Sequence, residues 1–125
     1  MRLKLGPEDR VQFEILYWLK SRQKKVWEHT IKIDNDGKRS IQGHQKVKIL
    51  GLKKGASDLF IAWPTKTKHG LWLEVKREDY KINPKDPHII RQLNFIELMT
   101  SVGYAGAMVV GKDEGIKTIK EYLCT

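Results

Sequence analysis

The chain has 125 residues, enough for one domain (1–125) with a modest core, and 24 Lys and Arg against 15 Asp and Glu give it a net charge of +9. That balance favours a polyanionic partner, nucleic acid ahead of an acidic membrane, although basic charge by itself selects no partner. The single cysteine, Cys124, excludes an intrachain disulfide and a cysteine-rich zinc site. No apolar run approaches the roughly 18 residues of a membrane span and no signal-like N-terminus is present, so the reading is a soluble, intracellular protein without a membrane role.

Gly6-Pro7 opens the first predicted helix, about 8–22, with Glu8 and Asp9 in its first turn, where acids suit the helix dipole. Val11, Ile15, Trp18 and Leu19 give it an apolar stripe, and Glu8, Gln12 and Ile15 share one side. A strand is predicted over 26–33, followed by the turn signal Asp34-Asn35-Asp36-Gly37. Residues 20–54 hold eleven Lys or Arg against three acids, a net of +8. This run is either a solvated basic face or a surface that tracks phosphates, and Lys38, Arg39, Lys46, Lys48, Lys53 and Lys54 are its candidate DNA contacts.

Leu59 to Trp63 reads as a buried strand with Asp58 at its start, and residues 64–70 supply a turn. In the next strand Leu71, Leu73 and Val75 alternate with Trp72, Glu74 and Lys76, so Glu74 and Lys76 share a face. A polar loop with Pro84 and Pro87 leads to a helix over about 88–102, whose predicted buried stripe is Ile89, Leu93, Ile96 and Leu98 or Met99. Gln92 falls one position off that stripe, as a surface glutamine would. A strand at 104–110 and a helix at 113–123 complete an α/β domain, a mixed sheet covered by helices.

Burying Glu74 and Lys76 within a small sheet is costly unless the charges are paired or meet a metal. Spacing alone leaves two readings open, a structural ion pair or a site. As a site, Asp58 and Glu74 are hard oxygen ligands suited to Mg²⁺ or Mn²⁺, and Lys76 can steady a water or an oxyanion. That is the chemistry of phosphodiester hydrolysis.

The pattern Asp58 … Glu74-Val75-Lys76 resembles the PD-(D/E)XK nuclease signature, with Ser57 in place of the motif's Pro. The pieces Pro7-Glu8 with Gln12, Gly51-Leu52-Lys53-Lys54-Gly55-Ala56-Ser57-Asp58-Leu59-Phe60, His69 to Lys76, Gln92-Leu93, Gly103-Tyr104-Ala105 and Tyr122-Leu123 resemble the VRR-NUC (virus-type replication-repair nuclease) family, in its stand-alone, phage-like form. The resemblance spans practically the whole chain; between His29 and Ser40 it is loose, and no site is assigned there. It implies a restriction-endonuclease-like fold with Asp58, Glu74 and the backbone carbonyl of Val75 as metal ligands and Lys76 at the water or phosphate. It also implies Gln92 and Glu8 as contributors, with Glu14 the alternative to Glu8. Stand-alone members resemble Holliday junction resolvases and are associated with homodimers. The expectation is therefore a Mg²⁺- or Mn²⁺-dependent DNA endonuclease acting on branched DNA, without an organic cofactor. A less selective flap, single-strand or duplex nuclease and a non-catalytic DNA-binding protein are the alternatives.

Overall fold

In the computed structural model, which describes residues 4–34, 50–51 and 55–125, Pro7 occupies the first turn of α1 (Pro7–Arg22). Its missing N–H costs little there, Glu8 and Asp9 follow it, and Lys20 and Arg22 sit at the opposite, partly negative end. At Gln23 the backbone leaves the helical region, and its N–H closes α1 by donating to the Leu19 carbonyl at 2.7 Å. The strand expected over 26–33 is then corrected: Lys24–Glu28 forms a short helix, α2, and only Thr30–Lys32 is extended, as β1. Val26 and Trp27 read as strand residues in isolation, but the turn through Gln23 lets both pack on the core beside α1. Tertiary burial overrides a weak β preference there.

β2 (Leu59–Ile61) and β3 (Leu71–Lys76) follow. The ladder of β2 ends two residues earlier than the apolar run, at Ile61. Next comes α3 (Pro87–Thr100), capped by the Asp86 carboxylate, which accepts from the His88 N–H at 2.9 Å. β4 (Ala105–Val110) and α4 (Lys112–Leu123) complete the order. The sheet runs β1-β2-β3-β4, antiparallel between its first three strands and parallel between β3 and β4. It is the mixed, helix-flanked sheet that the motifs implied.

Alternation along the strands divides the molecule into two layers. Leu59, Ile61, Leu71, Leu73 and Val75 face α1 and α4, forming one core with Val11, Ile15, Leu19, Ile119 and Tyr122. Phe60 and Trp72 face the other way, stacked with ring centroids 4.3 Å apart, and Phe95 of α3 meets Trp72 edge-on at 5.0 Å. The register of α3 is therefore one position off the expected stripe. Ile89, Gln92 and Phe95 are buried, whereas Leu93 is 40% exposed. No helix among the described residues is long and apolar enough to cross a membrane.

Candidate active site

The β2–β3 pairing sets Leu59 against Leu73, so Asp58, one residue earlier, lies across from Glu74. The two are tied reciprocally through the backbone. Asp58 N–H donates to Glu74 Oε2 at 3.2 Å, and Val75 N–H donates to Asp58 Oδ2 at 2.8 Å. Glu74 is 2% exposed and Lys76 5%, and the Lys76 ammonium lies 3.9 Å from Glu74 Oε1. An ordinary exposed ion pair would leave both groups wet, but here a carboxylate and an ammonium are desolvated together beside a second carboxylate. Burial pushes the Glu74 carboxyl up to about 9, and the hydrogen bonding and charge of Asp58 add to the rise while Lys76 opposes it.

Gln92 reaches the same end of the sheet by register. Phe95 packs on Trp72, and α3 returns the chain to start a strand parallel to β3, so it runs back along the sheet. Three residues toward its N-terminus advance about 4.5 Å, and two residues up β3 about 6.6 Å, which brings Gln92 toward the level of Glu74. Gln92 is 6% exposed, and its Oε1 is buried with no hydrogen-bond partner among the described residues, while its Nε2 lies 3.2 Å from His88 Nε2. The loop into Asp58 is pinned against the same helix. Gly55 has φ +85°, and a Cβ there would stand 2.8 Å from the Arg91 carbonyl oxygen, so only glycine fits.

Glu8 comes to the site from α1. It is exposed overall, yet its carboxyl is raised, first by partial desolvation; Lys76 lowers it and Asp58 raises it, the two charges of the strand pair. Glu14, the alternative, instead pairs with Lys112 at 3.6 Å. One turn beyond Glu8, buried Gln12 accepts a 2.7 Å hydrogen bond from Lys32 Nζ. Gln12 had a sequence signal, its i+4 spacing from Glu8, and His88 has the same spacing before Gln92. Tyr80, whose ring lies 5.1 Å from Lys76 Nζ, had none. Lys38, Arg39, Lys46, Lys48, Lys53 and Lys54 all lie outside the described residues.

The donor set fits a hard divalent cation. Asp58 and Glu74 are opposed carboxylates whose mutual repulsion and burial a cation would relieve, and the unpartnered Gln92 Oε1 is a group that a metal-bound water could satisfy. By contrast, the groove of about 540 Å³ between α1 and α4, lined by Phe13, Tyr17, Trp18 and Ile116 among others, contains none of these groups.

Comparison with known proteins yields no matching family model and no matching curated protein. Among solved structures the chain is similar to a protein described as "VRR_NUC domain protein", with a TM-score of 0.77 and 26% identity, over 98% of this chain and 92% of that one. The fold likeness therefore runs over the same length as the motif likeness.

Proposed function

We propose that this chain, which belongs to the VRR-NUC family by fold and by motif, is a nuclease, and that it is a divalent-metal-dependent endonuclease of DNA. The observation that carries the reading is Asp58, just before β2, opposed to Glu74 in β3, with Lys76 two residues further along the same strand, in a chain of charge +9. Asp58, Glu74 and the Val75 carbonyl would hold Mg²⁺ or Mn²⁺. When bound, the ion supplies Lewis-acid polarisation of a phosphate oxygen and a more acidic water.

The chain's own groups account for the rest. Lys76 carries a positive charge where charge develops on the phosphate, and its burial strengthens that interaction relative to water. Gln92 would offer an amide that orients a water, and Glu8, whose carboxyl feels the charges of Lys76 and Asp58, would accept a hydrogen bond from it. Basic residues of the 20–54 run supply the backbone contacts that hold DNA in register.

Branched DNA is the substrate we favour, by resemblance to resolvase-like members. A four-way junction needs two opposed nicks, which a two-fold dimer of this chain would deliver. The test is cleavage of a labelled four-way junction, a flap and a plain duplex at one salt concentration with Mg²⁺ or Mn²⁺. Wild type is expected to cut the junction fastest. Asp58→Ala, Glu74→Ala and Lys76→Ala are each expected to lose at least about a hundredfold in rate, while junction binding persists. Equal cleavage by wild type and Asp58→Ala would sink the assignment, and equal rates on all three substrates would leave a less selective nuclease.

A further inference from the structure

We infer that Tyr80 is a positioning residue of this site: the face of its ring holds the Lys76 ammonium in the place where it meets the substrate. The inference rests on the nuclease reading and adds a residue that the motif does not contain.

Lysine is a flexible stem ending in a compact charge, so its usefulness at a reacting phosphate depends on what fixes it. Among the described residues, the Lys76 ammonium lies within 4 Å of a single carboxylate, Glu74 at 3.9 Å, which is longer than a hydrogen bond, while the Glu8 carboxyl acts on it from farther off. Its second neighbour is the ring of half-buried Tyr80, whose centroid is 5.1 Å from Nζ. That is within the range of a cation–π contact, and with Lys76 buried the contact is stronger than it would be in water. Carboxylate and ring together restrict the stem; the carboxylate alone, in loose contact, does not.

Contacts at each residue from Arg77 to Tyr80 shape the loop that carries the ring, the Arg77–Asp79 pair being exposed to solvent. Arg77 pairs with Asp79 at 2.9 Å and lies 5.1 Å from the same ring. The Tyr80 N–H donates to the Arg77 carbonyl at 3.1 Å, closing a turn. Glu78 accepts from the Lys112 N–H at 2.9 Å, at the start of α4, and a Cβ on Gly111 (φ +86°) would overlap its carboxylate. The segment after β3 is thus clamped to α4, and the clamp keeps the ring against Lys76.

Tyr80→Phe keeps the ring and Tyr80→Leu removes it, which separates positioning from packing. With the four-way junction and Mn²⁺, Tyr80→Phe is expected within about twofold of wild type, and Tyr80→Leu to lose about tenfold to thirtyfold in kcat with KM little changed. In a Lys76→Ala background, Tyr80→Leu is expected to cost nothing further. A second readout needs neither metal nor DNA. In lysine-labelled protein, the ε-methylene resonance that disappears in Lys76→Ala should lie upfield through the ring current in wild type and Tyr80→Phe, and at the ordinary position in Tyr80→Leu. Wild-type activity in Tyr80→Leu, an additive loss in the Lys76→Ala background, or an unshifted Lys76 resonance in wild type each overturns the inference while leaving the nuclease reading standing. A wild type that cuts no DNA overturns the nuclease reading, and the positioning role with it.

Discussion

Burial of Glu74 opposite Asp58 fixes the sign of one pH effect. The folded chain holds the Glu74 proton up to about 9, whereas a free glutamate releases it near 4.5. Between those values the folded state binds more protons than the unfolded state. This contribution is therefore fully present below the lower value and is lost as pH rises through the window, at no more than about 1.4 kcal/mol per pH unit. Glu8, also raised, acts in the same direction. Denaturant titrations of metal-free protein across that window should show stability falling toward alkaline pH, and Glu74→Gln should flatten the profile; an unchanged slope in the variant would remove the carboxyl as its cause. A cation bound here must displace the same proton. Mn²⁺ should therefore raise the melting temperature more at pH 8 than at pH 6, and Asp58→Ala should abolish the rise.

At the scale of elements, the site depends on joints between strands and helices that carry no chemistry of their own. Gly55 passes the Asp58 approach under α3 in a conformation that side chains avoid, with the Arg91 carbonyl where a Cβ would go. Gly55→Ala should lower stability by about 1–2 kcal/mol from the left-handed backbone alone, with the clash adding to it. Cleavage should fall further than stability, because Asp58 moves with the loop. Glu78→Ala should cost about 1 kcal/mol through the lost cap on α4, measured by the same denaturant titration. A larger effect on kcat than on stability would tie the clamp to the site. In the core, Leu73→Ala removes a fully buried side chain of the central strand and should cost about 2–5 kcal/mol.

For the whole molecule the dominant quantity is charge. Eleven of the 24 Lys and Arg lie in residues 20–54, just before Asp58 in the chain. Each neutralised phosphate releases counterions, so junction affinity should fall linearly in log–log form with salt. Replacing Lys53 and Lys54 by Gln should reduce the magnitude of that slope by about 1.8 if both contact phosphate, since each contact contributes about 0.9. Fluorescence anisotropy over a salt series measures this, and an unchanged slope would move the DNA path away from these two residues. Sedimentation of the free protein tests the two-fold dimer separately from catalysis.

The sequence put Glu74 and Lys76 on one face by strand alternation and Asp58 at the start of the neighbouring apolar run, but spacing alone left an ion pair and a site open, and the strand register set Asp58 opposite Glu74. The mixed sheet and its three longer helices were legible from breakers and periodicity, which are local signals. Other features depended on contacts between distant segments. Val26 and Trp27 turned inward on α2 because a core lay beside them, against their strand preference. Gln92 was buried and Leu93 exposed because Phe95 had to meet Trp72, a constraint from the facing sheet that no helical stripe contains. Tyr80 lies in a loop without periodicity, and its place beside Lys76 follows from the turn after β3 and the contact of Glu78 with the start of α4. Asp58, Glu74 and Lys76 could be found by counting along the chain; the residues that surround them required the packing of one layer on another, where burial outweighs local preference.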